Sequence, residues 1–561
     1  MENFFDFHCH PTLKAGLTKT DCVGTDGWCD IELDRSQLLK NLLGSQAHFG
    51  ILKKGKFKLV IANLHAVEQG FAKNLLFEYF IEWIIDSHLD SEFLHSVDQN
   101  KQSYYDTLKR DYEFLTSRNT TDPQKCFNIV QSSGDIHDDE LNVVLAVEGG
   151  HCFDPYYAEN KFPEFEFQVV NDYVKNFREF KKGKRIFSLT LTHLTPSRTS
   201  THASGVRFLG GVAGGRNFKP AGTGITEIGK ALLKECYEPA DGGYRVLVDV
   251  KHMSMSAREQ FYKMRQDNGW ENFPIIGTHM GVSGVSEYII YGVKKPFWNS
   301  GDGHPAVPVR MYSKAGFSYK DAQGRKYQTM FNPWTISLYD RDIIEILRSG
   351  GLIGVSLDKR IVGYGEIFNE FFSKDEFDDY IKPKIDQPSD DVIGIDFAVG
   401  SQDNNIGVSP LTEDRSKMLL ELAHQTPNIY FLANNILHII RVGLQNNIDD
   451  VWSHVCIGSD LDGLIEPICK SNIAAGQINT DIYSAADYDQ LATDLTEALR
   501  NLIESHGGMA AFAVPGTDIN LAVEMLMSKN GLNFVSTWLA KLESGVDRPH
   551  PTEPEISQAG T

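Results

Sequence analysis

The chain has 561 residues, and its 75 acidic side chains exceed its 54 basic ones, giving a formal net charge of −21. An acidic surface repels phosphate backbones and anionic headgroups, so we expect no nucleic-acid partner and no binding to a membrane surface. With 41% hydrophobic and 23% charged residues, the composition is that of a globular protein long enough to bury a large core.

Short apolar runs recur along the chain and predict eight β-strands, most of them continuous rather than alternating, as in parallel strands covered on both faces. The predicted strands are Phe4–Cys9, Phe57–Ala62, Asn142–Val147, Ile186–Thr192, Arg245–Val250, Pro274–Gly277, Leu352–Ser356 and Val455–Gly458. Amphipathic patterns between them predict helices at Asn74–His88, Phe165–Lys181, Ile225–Cys236, Ala257–Gln266, Asp340–Arg348 and Thr426–Gln445.

Alternating strands and helices favour a parallel α/β architecture, and eight strands suggest a closed (β/α)₈ TIM barrel. Three intervals are too long for simple barrel connections and are expected to be loop insertions at the C-terminal face, near residues 11–56, 280–332 and 359–449. Residues 1–545 would then form one barrel domain. The Pro- and Glu-containing segment 546–561 is expected to be a disordered tail.

The N-terminus has no basic residue before its first apolar run, and no run approaches the 18 apolar residues of a membrane span, so neither a secretory signal nor a span is predicted. The eight cysteines contain no Cys-x-x-Cys pair. Reduced thiols in a cytoplasmic protein fit this usage better than a disulfide framework does.

The first predicted strand carries His8 and His10. Alternate side chains share one face of a strand, so both imidazoles can bind one metal ion. A lone His-x-His is also compatible with one packed and one loop histidine, and other strand ends are needed to decide.

Four further predicted strands end in residues of the types that bind metals: Glu148, His252, His279 and Asp460. Singly, each could be a capping or loop residue. In a (β/α)₈ barrel, however, all C-terminal strand ends face one mouth, so these side chains and the two opening histidines would converge there.

Such a set suits a two-metal site. His8, His10 and Asp460 would bind one ion, His252 and His279 the other, and Glu148 would bridge them. Imidazole and carboxylate ligands fit Zn²⁺ best, with Fe, Mn or Co as alternatives. Two such ions lower the pKa of a bridging water, and Asp460 can accept its proton and pass it to the leaving group, which predicts metal-assisted hydrolysis.

The motifs resemble the renal (membrane) dipeptidase family of metallopeptidases in the amidohydrolase superfamily. The resemblance is carried, in family order, by Asp6-Phe7-His8-Cys9-His10, Glu148-Gly149-Gly150-His151, Leu189-Thr190-Leu191-Thr192-His193, Thr226-Glu227-Ile228-Gly229-Lys230, Asp249-Val250-Lys251-His252, Gly277-Thr278-His279 and Gly458-Ser459-Asp460-Leu461-Asp462-Gly463. It implies that Glu148 bridges two ions, that His193 contacts the substrate or stabilises the oxyanion, and that the protein forms a homodimer.

Two departures from the family pattern bear on specificity. The family usually carries His-x-Asp on the first strand, whereas His8-x-His10 removes one negative charge here. The family also places an arginine soon after the sixth-strand histidine to hold the substrate carboxylate, and the first arginine after His279 is Arg310. Arg310 is therefore the candidate for substrate binding, and dipeptide specificity is open.

The expected function is hydrolysis of an amide bond in a small peptide or related small molecule, with Asp460, His193 and Glu148 as catalytic residues. An ester, lactone or phosphoester could be cut by the same site. A barrel that only binds a ligand is a third possibility, disfavoured by the complete set of ligand-type residues.

Overall fold

Eight parallel strands form the centre of the fold. The computed structural model describes residues 3–32, 44–77, 89–156, 167–204, 218–240, 243–285, 292–293, 298–299, 305–311, 314–363, 368–382, 421–470 and 481–543. Neighbouring strands hydrogen-bond in the order β1 (Phe4–Cys9), β2 (Phe57–His65), β4 (Asn142–Glu148), β5 (Ile186–Thr190), β6 (Leu247–Asp249), β7 (Ile275–Met280), β13 (Leu352–Val355) and β15 (Val455–Ile457). A short strand, β3 (Asn128–Ile129), pairs with β4.

The last strand returns to the first and closes the barrel. The amide of Asp460, just after β15, donates to the carbonyl of His8 at 2.8 Å, and the amide of His10 donates to the carbonyl of Leu461 at 3.0 Å. The (β/α)₈ barrel is therefore confirmed, and each of the eight predicted strands is present with ends shifted by no more than a few residues.

Alternation along the strands separates two cores. Phe5 and Phe7 of β1 point into the barrel with residues such as Leu59, whereas Phe4 and Val60 belong to the layer between the strands and the surrounding helices. The final helix closes the lower end of the barrel, because its Phe534, Val535, Leu539 and Leu542 join the inner core. Burial on both faces explains the continuous apolar character of these strands.

The helices surround the barrel. The α-helices are α1 (Leu13–Gly16), α2 (Phe49–Lys54), α3 (Gln69–Phe77), α4 (Ser91–Asp98), α5 (Tyr104–Ser117), α6 (Phe167–Lys181), α7 (Glu227–Tyr237), α8 (Met255–Asp267), α9 (Asp340–Arg348), α10 (Lys359–Val362), α11 (Lys374–Glu376), α12 (Asn428–Gln445), α13 (Tyr488–Ser505), α14 (Gly508–Ala511), α15 (Ile519–Glu524) and α16 (Asn530–Glu543). Five predicted helices are confirmed within about two residues. The sixth begins earlier than predicted, at Gln69, and its predicted part 78–88 lies outside the described residues.

The interval 280–332 was predicted as a loop, but its described part contains strands. These are β8 (Gly292–Val293), β9 (Trp298–Asn299), β10 (Pro305–Met311), β11 (Ala315–Lys320) and β12 (Lys326–Met330). Strand β10 pairs with β14 (Phe368–Ser373) from the third insertion. A strand whose partner lies about 60 residues away gives no local hairpin signal, which is why the sequence pattern did not reveal it.

Several sequence predictions fall on parts of the chain outside the description. Residues 33–43 and 383–420 of two predicted insertions are among them, as is the predicted tail 546–561. Within the described ranges, no helix is long and apolar enough to cross a membrane. All eight cysteines belong to these ranges, and each is a free thiol.

Close backbone approach inside the barrel gives a stability test. A Cβ atom on Gly458 would lie 1.6 Å from the carbonyl oxygen of Thr278 on β7, so the strands would have to move apart. We expect Gly458→Ala to lower the free energy of unfolding by about 3 kcal/mol, measured by urea denaturation.

Gly134→Ala is the matched control, because its nearest new contact would be the Ser132 hydroxyl at 3.8 Å. Equal stability of the two variants would contradict the close strand packing.

Candidate metal centre

Glu148, the last residue of β4, lies between two pairs of histidines at the C-terminal mouth of the barrel. Its Oε2 is 3.2 Å from His10 Nε2, and its Oε1 is 3.6 Å from His8 Nε2. On the other side, Oε1 is 3.1 Å from His252 Nε2 and 3.4 Å from His279 Nε2. The structure thus brings together Glu148, the carboxylate predicted to bridge two ions, and all four histidines predicted as ligands.

Asp460 completes the group on the side of the first pair. Its Oδ1 lies 3.8 Å from His8 Nε2 and 3.7 Å from His10 Nε2. The side chain is 15% exposed and lines the pocket above the group. All six predicted ligands therefore meet at one end of the barrel, and their roles as ligands remain a prediction.

The spacing of these atoms fits metal coordination. A tetrahedral ion with bonds of about 2.0–2.1 Å holds its ligand atoms roughly 3.3 Å apart. The paired nitrogens are 3.1 Å apart for His8 and His10 and 3.2 Å apart for His252 and His279. Both distances match the spacing of two ligands on one ion, and imidazole nitrogens beside a carboxylate are ligands that divalent metal ions take, so the donor set fits such ions.

The protonation states of the histidines and of Glu148 also favour the binding of a metal cation. Burial lowers the pKa of His8 to about 4 and holds the pKa values of His252 and His279 well below their ordinary value, so these imidazoles are neutral. Burial raises the pKa of Glu148, but His193, His8, His10 and His252 outweigh it and keep that pKa well below the ordinary range. Neutral imidazoles around an ionised carboxylate are the form in which metals bind.

The pKa of Asp460 is shifted in the opposite direction from that of Glu148. Burial and the nearby Glu148 charge raise its pKa well above the ordinary value, although Lys251 acts in the opposite direction. A carboxyl group that readily holds a proton at the edge of the pocket is suited to proton transfer.

A second layer of buried polar residues orients the histidines. The Thr278 hydroxyl lies 2.9 Å from His8 Nδ1 and 2.9 Å from His279 Nδ1, and it donates to Asp249 Oδ2 at 2.5 Å. With their Nδ1 atoms held, both rings direct Nε2 at Glu148. Such outer partners fix the ring orientation of metal-binding histidines.

Backbone conformation explains two motif residues. Gly149 has φ 101°, and a Cβ there would lie 2.3 Å from the His151 ring, so the residue after Glu148 must be glycine. His252 and Asp460 both have positive φ, at 65° and 62°. Non-glycine residues in this region concentrate where a site requires a particular side-chain direction.

His193 lines the pocket beside the candidate metal centre, as its predicted substrate contact requires. Its Nδ1 lies 2.6 Å from Glu68 Oε1, and Glu68 Oε2 lies 3.0 Å from His65 Nε2. His65 Nδ1 in turn donates to the carbonyl of Glu148 at 2.9 Å. The buried carboxylate of Glu68 thus fixes the ring of His193 and leaves its Nε2 facing Glu148, 3.9 Å from Oε2.

Two residues of this site, His65 and Glu68, were not predicted from the sequence pattern. Strand β2 runs to His65, three residues beyond its predicted end, so the polar strand end was not recognised. With β2 extended to His65, its end would show the same feature as the other strand ends, which is an imidazole or carboxylate directly after an apolar run.

Arg310, the candidate substrate-binding residue, has its backbone in β10, paired with Asn369 and Gly292. Its side chain lies outside the described part of the structure, so the predicted contact with substrate stays a prediction.

No family model and no curated protein matches the chain. Solved structures do, and one is the metallopeptidase dipeptidase AC of family M19, at 13% identity and a TM-score of 0.44, covering 96% of this chain and 99% of that chain. A metallopeptidase from Rhodobacter sphaeroides, liganded with a phosphinate mimic of the dipeptide L-Ala-D-Ala, is 13% identical with a TM-score of 0.42 and coverages of 95% and 98%. The probable dipeptidase PvdM from Pseudomonas aeruginosa is 14% identical with a TM-score of 0.42, covering 96% of both chains. The barrel assignment rests on the strand order of the chain itself.

The Glu68 contacts predict a pH-dependent stability. Burial alone lowers the pKa of His65, but Glu68 and Glu148 outweigh it and raise that pKa to about 9. The stabilisation is therefore complete below the ordinary pKa of about 6.5 and is lost as pH rises through 9. Glu68→Gln should remove it.

We expect the difference in free energy of unfolding between the metal-free wild type and Glu68→Gln to shrink by about 3 kcal/mol from pH 6.5 to 9.5. Glu179→Gln, which removes a carboxylate that is 55% exposed, should not change the pH profile. A difference between wild type and Glu68→Gln that is constant with pH would contradict the assignment.

Proposed function

We propose that the protein is a dinuclear metal-dependent hydrolase that cleaves an amide or peptide bond in a small peptide or related molecule. The observation that carries the proposal is the position of the Glu148 carboxylate between two histidine pairs. Its Oε2 lies 3.2 Å from His10 Nε2, and its Oε1 lies within 3.6 Å of the Nε2 atoms of His8, His252 and His279. A carboxylate placed in this way can bridge two cations, and a pair of cations beside a proton acceptor suits hydrolysis.

His8, His10 and Asp460 would hold one ion, His252 and His279 the other, and Glu148 both. Nitrogen and oxygen ligands favour Zn²⁺. Bound there, the ions would supply a nucleophilic water at neutral pH and polarise the carbonyl group of the substrate.

Asp460 would act on protons in this scheme. Its carboxylate borders both the histidine pair and the open pocket, so it can take a proton from the attacking water and deliver it to the leaving amine. His193, held by Glu68, would direct Nε2 to the carbonyl oxygen as negative charge develops there.

We further propose that the protein acts as a cytoplasmic homodimer on a small-molecule or small-peptide substrate, with Arg310 contributing to substrate binding. No nucleic-acid or membrane partner is part of this proposal.

Metal content is the first test. The purified protein should carry about two divalent ions per chain by emission spectroscopy, and His8→Ala should carry about one. His137→Ala removes an exposed histidine on the protein surface and should bind as many ions as the wild type. Less than about one ion per wild-type chain after mild purification would favour a ligand-binding barrel instead.

Asp460→Asn tests the proton transfer. Loss of general base catalysis should lower kcat by at least about 100-fold on a dipeptide panel, with the melting temperature nearly unchanged. Glu466→Gln changes a half-exposed carboxylate six residues away and should keep wild-type turnover. Near wild-type rates in Asp460→Asn would refute the assigned role, and turnover of ester, lactone or phosphoester panels alone would reassign the bond that is cut.

A further inference from the structure

Lys251 is a buried cation at the candidate metal centre that neither the ligand set nor the proposed proton transfer uses. It lies two residues after Asp249, the last residue of β6, borders the pocket at the mouth of the barrel, and is only 1% exposed. The ammonium nitrogen has no hydrogen-bond partner among the described residues. A buried ammonium with three unused donors is costly, so this position requires a physical explanation.

Carboxylates surround Lys251, but each is engaged by other groups. Asp460, Asp249, Asp358 and Glu148 all attract its charge. Glu148 and Asp460 face the histidine pairs, Asp249 accepts from Thr278, and Asp358 forms an ion pair with Arg360 at 2.6 Å. Binding of cations by Glu148 and Asp460 would further reduce the negative charge available to Lys251.

The pocket onto which Lys251 opens has two chemically different sides. One side is formed by four of the metal-ligand candidates (His10, Glu148, His252 and Asp460) together with His65, His193, Lys251 and Arg360. The other side, which we call the apolar wall, consists of Leu13, Leu17, Val67, Phe71, Leu194, Ile336, Ile361, Leu464 and Ile465. Arg360 is held by Asp358 and the carbonyl of Leu464, so Lys251 is the better cation for a ligand.

We propose that the pocket takes a small substrate that presents an anionic group, a carboxylate or a phosphate-type group, to Lys251 and an apolar side chain to the apolar wall. An ammonium can donate to an anion from three directions without the fixed geometry of a guanidinium. The apolar wall would gain from burying a leucine-sized group. The inference rests on the proposed function, since it places the anion next to the bond that is cut.

Equilibrium binding tests the inference without requiring turnover. Calorimetry on the metal-loaded full chain would compare N-acetyl-L-leucine with its uncharged carboxamide, N-acetyl-L-leucinamide. We expect the wild type to prefer the carboxylate by about 10- to 100-fold, as for hydrogen bonds to a charged group. In Lys251→Met the preference should fall below about threefold while binding of the carboxamide is unchanged, and Lys251→Arg should retain part of it.

Two further ligands complete the design. The phosphonate analogue of N-acetyl-leucine distinguishes a phosphate-type anion from a carboxylate as the better partner of Lys251. Replacing leucine by glycine should weaken the acid and the amide by the same factor, because the apolar wall acts independently of Lys251.

An unchanged charge preference in Lys251→Met, at equal metal content, would assign the anion to the metal ions and overturn the inference. If Lys251→Met weakened binding of N-acetyl-L-leucine and of its carboxamide by the same factor, or if the wild type bound neither at millimolar concentration, the inference would be overturned as well. Hydrolysis is scored separately on amide substrates: a charge preference without turnover would refute the proposed function and leave the Lys251 site standing.

Discussion

The structure of the candidate site depends on one constraint: the negative charge of a buried carboxylate must be balanced by hydrogen-bond donors or cations. Glu148 ends a strand with both faces covered, and imidazoles from three other strand ends surround it. Removing the carboxylate would leave four imidazoles facing one another, and removing the imidazoles would leave a buried charge unpaired. The carboxylate and the imidazoles therefore require each other. Divalent cations stabilise both, because the lone pairs that would otherwise face one another form bonds to the metal.

The barrel supplies the precision that this arrangement needs. Asp6 accepts hydrogen bonds from the Ser459 amide at 2.8 Å and the Ser459 hydroxyl at 2.5 Å, so the first and last strands are joined directly below their metal-ligand candidates. Thr278 and Asp249 do the same for β6 and β7. The same buried polar contacts thus close the barrel and orient the histidines. A substitution that breaks these contacts is therefore expected to disturb both the strand pairing and the histidine positions.

The pocket combines a strongly charged floor with an apolar wall. Its floor is strongly polar, with Lys251 buried among carboxylates. All of its apolar wall except Ile465 belongs to or packs against a separate hydrophobic cluster that includes Val67, Phe71 and Ile336. A low-polarity wall strengthens the electrostatic interactions of the floor by excluding water. The insertions contribute to this wall through Leu13, Leu17 and Ile361, whereas most of the metal-ligand candidates lie at strand ends of the barrel.

The sequence by itself determined the eight strands and the six metal-ligand candidates. Continuous apolar runs report burial on both faces, and a charged or imidazole side chain at the end of such a run stands out against it. Tertiary structure alone decided the rest: the strand pairing of β10 with β14, the support of His193 by Glu68, and the burial of the Lys251 ammonium, which has no hydrogen-bond partner in the described part of the chain. These features depend on which distant residues become neighbours, and local periodicity carries no information about contacts made across a barrel.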